Sequence, residues 1–253
     1  MANEWTCAYS YSPAISFKPT TAGAGEDAMQ SFEAQLTSVA IPAGRARLHG
    51  RLHLPAEANG IVLFAHGGGS SRHSPRNQRV AESLHDVGIA TLLFDLLPES
   101  AEPANAFDAS LRNDITLQSN RLRAAAEWAK QQPELAELPI GYFGASTGAA
   151  PALLAASTQP DVQAVVARGG RPDLANAAIL NLRVPTMLIV GGNDDAVAAL
   201  NLEVWARLRC EKSIEIIPGA GHLFEEPGAM DNVAALTARW FGEHLRKDVN
   251  LLA

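Results

Sequence analysis

The chain has 253 residues, of which 47% are hydrophobic and 19% charged, enough for one large α/β domain with a buried core. A formal net charge of -7 without any Lys/Arg cluster argues against a nucleic-acid surface, and no apolar run approaches the roughly 20 residues that span a bilayer. Cys7 and Cys210 are far apart and outside any C-x-x-C pair, which argues against a disulfide framework or a thiolate zinc site and makes a reducing cytoplasm the default.

Residues 1–30 are polar, punctuated by Gly and Pro and without clear periodicity, and the start lacks the basic flank and apolar stretch of a secretory signal. They read as an extension to a domain over 31–250. Met29 opens the first domain-like stretch, so the start at Met1 reads as an appended arm or an upstream start codon. From Gln35 the pattern becomes regular. Gln35 to Ile41 and Arg45 to Leu54 alternate apolar and polar residues around Pro42-Ala43-Gly44, which predicts an antiparallel hairpin at a sheet edge. Ile61 to Ala65 is a continuous apolar run of the kind buried on both faces, and Ser74-Pro75 supplies an N-cap and first-turn proline for a helix to about Val87.

Apolar strands follow at Ala90 to Phe94, Ile140 to Phe143 and Val162 to Ala167, with a helical pattern over Leu111 to Lys130. Thr186 to Val190 and Ser213 to Ile217 extend the series, with helices at Ala149 to Ala156, Ala196 to Leu208 and Asn232 to Leu245. This order predicts an α/β fold with a mainly parallel, doubly wound sheet and antiparallel N-terminal strands. Chemistry in such a sheet belongs at the carboxyl ends of the strands.

The segment Tyr142-Phe143-Gly144-Ala145-Ser146-Thr147-Gly148 fits a sharp strand-to-helix turn that lifts a serine hydroxyl out of the sheet. Ser146 is the candidate nucleophile; a bystander serine in a glycine-rich turn is the alternative for the motif alone. Serine needs a base, and the base needs an orienting acid, in the chain order Ser, Asp or Glu, His. Gly191-Gly192-Asn193-Asp194-Asp195 follows an apolar strand and makes Asp194 the candidate acid, with Asp195 read as a helix-start residue. Pro218-Gly219-Ala220-Gly221-His222 follows the last strand and makes His222 the candidate base, whereas His49, His53, His85 and His244 lie in ordinary strand or helix settings.

An oxyanion that develops at the substrate needs backbone N–H donors. His66-Gly67-Gly68-Gly69-Ser70-Ser71 lies after the first parallel strand, where they belong. Thr147 N–H and Gly68 N–H are the expected pair, Gly67 and Gly69 being the alternatives in register, and His66 reads as structural. The glycine run has no Gly-Lys-Ser/Thr ending, which argues against a phosphate loop.

With the strand and loop order, these motifs resemble the α/β-hydrolase fold over about Gln35 to Leu245, and more closely its dienelactone-hydrolase-like branch. The resemblance is carried by His66 to Asn77, Gly141 to Ala150, Arg168 to Leu174 and His222 to Gly228. It implies an ester-hydrolysing enzyme without cofactor or metal, acting on a small-molecule ester. Dienelactone hydrolases carry cysteine where this chain has Ser146, which points to a general carboxylesterase. A lactone hydrolase or acyltransferase with the same triad is the enzymatic alternative, and a non-catalytic ligand-binding relative is the alternative from another class. Arg72 and Arg168 are candidates for binding a substrate carboxylate, with structural hydrogen bonding as the other reading. The short link between Arg168 and Thr186 leaves no room for a large cap domain, and Leu97 to Ala109 is expected to wall the site and favour small or medium acyl groups.

Overall fold

The computed structural model describes residues 35–67, 69–97, 111 and 113–245. The expected extension 1–30, Gly68 and all of the expected wall segment beyond Leu97 lie outside the described residues. Strands β1 (Gln35–Ala43) and β2 (Ala46–Leu54) form the hairpin, closing at the Ala43–Ala46 pair with Gly44 at φ +62°. Then come β3 (Gly60–Ala65), β4 (Ile89–Phe94), β5 (Ile140–Ala145), β6 (Val162–Arg168), β7 (Thr186–Gly191) and β8 (Lys212–Ile217). They make one sheet in the order β1-β2-β4-β3-β5-β6-β7-β8; β1, β2 and β4 pair antiparallel and the remaining neighbours pair parallel.

Residues of β3, β4, β5 and β7 are buried throughout, as continuous apolar runs require when helices cover both faces. The side chains divide with a period of two. Ile61, Leu63, Leu92 and Phe94 pack with Leu122, Leu153 and Val204 on one face, while Val62, Phe64 and Leu93 pack with Val80, Leu84, Val233 and Phe241 on the other. The first group of partners comes from α2 (Ile115–Lys130), α3 (Ala149–Ala156) and α4 (Asp195–Arg207), the second from α1 (Pro75–His85) and α5 (Ala229–His244). Each fully buried Leu, Val or Phe contributes about 2 kcal/mol by leaving water.

Local chemistry sets the helix starts. Ser74 Oγ accepts the Asn77 N–H at 3.4 Å, and Pro75 takes the first position, where no N–H is needed. Asp114 accepts the Leu117 N–H at 2.8 Å, so α2 begins at Ile115 although its apolar pattern runs back to Leu111. Between β6 and β7 the chain makes a 3-10 segment, Pro172–Asn181, kinked at Asn176 (φ 51°, ψ -129°), and no large cap domain is inserted there. No helix among the described residues is long and apolar enough to cross a membrane.

The winding direction locates the site. From β3 the chain moves outward to β4, then returns to β5 on the other side of β3 and continues to β8. At this reversal the loops leaving β3 and β5 diverge to opposite faces and open a crevice at the strand ends. Ser146 follows β5, and the Gly67 loop follows β3.

Candidate active site

Ser146 stands at φ +54°. An L-residue in the left-handed region is disfavoured by about 1 kcal/mol, so the turn must be held from outside. Its carbonyl accepts N–H bonds from Ala149 and, at 3.2 Å, from Arg171, which ties the 3-10 turn Ser146–Gly148 to α3 and to the loop after β6. The flanking glycines are needed for space. A Cβ on Gly148 would stand 2.2 Å from the Ala65 carbonyl oxygen, and one on Gly144 would stand 2.6 Å from Ala149 Cα. The two glycines of the sequence motif are thus where backbone meets backbone.

The three residues expected after separate strands come together here. Ser146 Oγ lies 3.3 Å from His222 Nε2, and His222 Nδ1 lies 2.7 Å from Asp194 Oδ2. A carboxylate can only accept, so Nδ1 carries the proton and Nε2 is left to accept from the serine hydroxyl. Asp194 occupies the N-cap position of α4 without capping it by its side chain, while Asp195, the first residue of the helix, is exposed.

The loops that carry Asp194 and His222 are fastened to each other. Asn193 donates from Nδ2 to the Gly219 carbonyl at 2.8 Å and from its backbone to the Ala220 carbonyl at 2.9 Å, and Gly192 N–H reaches the Ile217 carbonyl at 2.8 Å. Glu226 Oε1 accepts the Gly221 N–H at 2.9 Å from the far side of His222. Buried Asn201 of α4 donates to the Gly170 carbonyl at 3.0 Å, joining the helix that follows the acid to the loop that holds Ser146.

On the β3 side, Gly67 approaches Ser146 so closely that a Cβ on it would lie 3.0 Å from Ser146 Cβ. The loop is pinned at both ends to the end of β4. His66, 6% exposed, donates from Nδ1 to the Gly67 carbonyl at 2.9 Å and accepts the Leu96 N–H on Nε2 at 3.1 Å. Burial lowers its pKa, in keeping with the neutral tautomer that those two bonds require. At the other end Asp95 accepts the Arg72 N–H at 2.7 Å and pairs with the Arg72 guanidinium. Thr147 sits in the turn directly after Ser146, and Gly68 lies outside the described residues.

A cleft of about 140 Å³ opens on Ser146 and His222, bordered by Gly67, Arg76, Arg168 and Leu223. Of the two arginines singled out in the sequence, Arg168 lines this cleft. Arg72 is directed to Asp95 and lines a separate one of about 290 Å³ with His53 and His85. The sequence reading did not single out Arg76, Asp95, Asn193 or Glu226. Asn193 had a signal in its position beside Asp194, and Glu226 lies five residues from its partner Gly221; Asp95 acts through Arg72, which only the fold brings near.

A family model described as the dienelactone hydrolase family matches residues 48–244. The crystal structure of a dienelactone hydrolase from Anabaena variabilis is similar at 50% identity and a TM-score of 0.81, covering 85% of this chain and 100% of that one. A Mycobacterium tuberculosis protein carrying the provisional name of a phosphoribosyl transferase is 49% identical over 210 residues, 82% of this chain. The chain spans less than half, 46%, of that relative's length. A cold-adapted esterase from an Arctic intertidal metagenomic library, 18% identical with a TM-score of 0.71 over 86% of this chain and 97% of its own, shares the fold.

Proposed function

The chain belongs to the dienelactone hydrolase family of α/β hydrolases, and from that premise we propose that it is a serine hydrolase cleaving carboxylic esters of small or medium acyl groups. The observation that carries this reading is the unbroken hydrogen-bond line Ser146 to His222 to Asp194, at 3.3 and 2.7 Å. Ser146 Oγ attacks the ester carbonyl while His222 Nε2 takes its proton, and Asp194 stabilises the imidazolium that forms. The carbonyl oxygen becomes an oxyanion, for which the N–H groups of Thr147 and Gly68 are the proposed donors. Collapse breaks the bond to the alcohol, which leaves with the proton from His222. Water, deprotonated by the same nitrogen, then adds to the acyl-enzyme and releases the acid and Ser146.

The cleft of about 140 Å³ beside Ser146 supports small acyl groups. A lactone is an internal ester open to the same steps, and the name of the Anabaena relative favours that second reading. Ser146, at the position where dienelactone hydrolases have cysteine, favours the general ester. The transferase name comes from a relative of which this chain matches 46%, and it adds no step here. Incubation of the folded protein with a fluorophosphonate probe tests the proposal: labelling that disappears in Ser146→Ala is expected, and absence of labelling in the unmutated protein refutes it.

A further inference from the structure

The cavity of about 290 Å³ lies away from Ser146, between α1 and the strands next to the hairpin. The two periods of the chain assemble its lining. Arg51 and His53 are two apart on β2 and pair with Leu93 and Thr91 of β4, so these four side chains share one face of the sheet. Gln78, Ala81, Glu82 and His85 stand at i, i+3, i+4 and i+7 of α1 and close the cavity from the helix side. Leu36 of β1, paired with His53 and 59% exposed, borders it toward solvent.

The lining has an apolar part, a flat part and a charged part. Leu36, Ala81 and Leu93 supply the first. His53 and His85 stack at 3.5 Å with their planes 9° apart, and His85 is fixed by its 2.7 Å bond to Thr91 Oγ1, which makes a rigid ring wall. Burial lowers the pKa of both imidazoles, so this wall is uncharged at neutral pH. Glu82 is turned to Arg79 at 3.6 Å with its carboxylate 64% exposed, and Arg72 is turned to Asp95. Half-buried Arg51 has no hydrogen bond or ion pair among the described residues. It is a cation beside apolar surface, without a counter-charge.

Arg72 joins this cavity to the active site. Its side chain lines the cavity, while its guanidinium and its backbone N–H both go to Asp95. Asp95 stands 4.0 Å from His66 Nε2, the ring that donates to the Gly67 carbonyl, and Gly67 borders Ser146. An anion in the cavity therefore competes with Asp95 for one guanidinium, and the loop that leaves β3 is less firmly clamped when the anion is bound.

We propose that this cavity is an effector site for a small aromatic acid, whose carboxylate pairs with Arg51 and shares Arg72 with Asp95, and that its occupancy lowers turnover at Ser146; the effect on turnover rests on the hydrolase reading above. A dry cavity of about 150 Å³ takes benzene, so about 290 Å³ has room for one ring and its carboxylate. The ring packs on the imidazole wall and the apolar side chains, and the carboxylate accepts paired N–H bonds from guanidinium. The acid acts at a distance because it favours the arrangement in which Arg72 is shifted from Asp95 toward the cavity.

The test titrates benzoate into the full chain, with benzamide as its neutral counterpart, and follows the histidine ring protons by NMR. Benzoate shifts the signals of His53 and His85, saturating on the order of 1 mM, and leaves His222 in place, whereas benzamide binds at least about 10-fold more weakly. Arg51→Met lowers benzoate affinity on the order of 10-fold, and Leu36→Asp, at the exposed border, lowers it by repulsion. With 4-nitrophenyl acetate as substrate, benzoate lowers kcat without raising KM, by at most the roughly 10-fold loss that removal of the Arg72 clamp causes, and Arg51→Met abolishes this inhibition. Shifts at His222 alone, equal affinity for benzamide, or unchanged affinity in both folded variants overturn the site. Inhibition that only raises KM, or binding that leaves kcat unchanged, overturns the effector role. If no ester is turned over and Ser146 resists the fluorophosphonate, the hydrolase reading fails, and the titration still decides whether the cavity takes the acid.

Discussion

Asp194 stands where a helix cap belongs and gives its carboxylate to His222 instead: Oδ2 lies 2.7 Å from Nδ1, and no N–H of α4 is bonded by the side chain. Asp195, one residue on, is exposed at the first position of the helix, where a negative charge meets the positive end of the dipole. Two adjacent aspartates thus divide two tasks, one orienting the imidazole and one stabilising the helix.

Exchanging each in turn separates those tasks. Asp194→Asn is expected to lower kcat by about 10,000-fold, the size of loss seen when an orienting carboxylate is replaced and the imidazole adopts the wrong tautomer. Asp195→Asn is expected to keep activity within about threefold, its dipole contribution being below about 1 kcal/mol. Steady-state kinetics on one ester decide the matter, and equal losses in the two variants contradict the assignment.

The backbone at Ser146 makes a stability prediction that is independent of turnover. Glycine populates φ +54° freely and alanine does not, so Ser146→Gly should be more stable than Ser146→Ala by about 0.5–1 kcal/mol, although glycine is the more flexible residue when unfolded. Urea midpoints of the two inactive variants measure the difference. An alanine variant as stable as the glycine variant means that the turn is not strained.

Arg72→Met leaves the Asp95 carboxylate, itself 9% exposed, without its guanidinium partner, and the expected loss is about 3 kcal/mol of stability. The loop between Gly67 and residue 72 keeps its backbone bond to Asp95 but loses the guanidinium clamp, so kcat/KM should fall by about 10-fold for charged and neutral esters alike. A selective loss for the anionic ester would instead place Arg72 in substrate recognition.

Stability should also fall with acid through His85. Burial, and then the ring of His53 stacked 3.5 Å away, push His85 from 6.5 down to about 4, while its Nε2 bonds Thr91 Oγ1 at 2.7 Å. The unfolded chain therefore takes up this proton first as pH drops below 6.5. The contribution of neutral His85 is complete above 6.5, declines between 6.5 and 4 and is lost below that. His85→Gln, which keeps a polar group for Thr91, is expected to shrink the fall in urea midpoint between about pH 7.5 and pH 5. An unchanged fall locates the pH dependence elsewhere.

Much of this arrangement was legible in the sequence because it is local. Gly144 and Gly148 mark the elbow through contacts with the turn and the neighbouring strand end, and Asp194 and His222 each follow an apolar strand directly. The hairpin, the parallel series and most helix bounds follow from periodicity and caps for the same reason. What depended on distant partners was not legible. Arg72 and Arg168 look alike as arginines after strands, yet one meets Asp95, 23 residues on, and the other is buried against Met230, 62 residues on. Nothing in either neighbourhood foretells which cleft its side chain lines. The 3-10 segment Pro172–Asn181 was missed as well, since short helical turns lack a long enough apolar period to be recognised.

The bonds from Asn193 to Gly219 and Ala220 mount the loops of Asp194 and His222 as one unit. Ser146 rides on a different strand: its hydroxyl reaches that unit through the 3.3 Å contact with His222, and its turn is tied to it from behind by the bonds of Arg171 to Ser146 and of Asn201 to Gly170. The side chain at position 146 is therefore exchangeable without breaking a bond that holds Asp194 and His222 to each other.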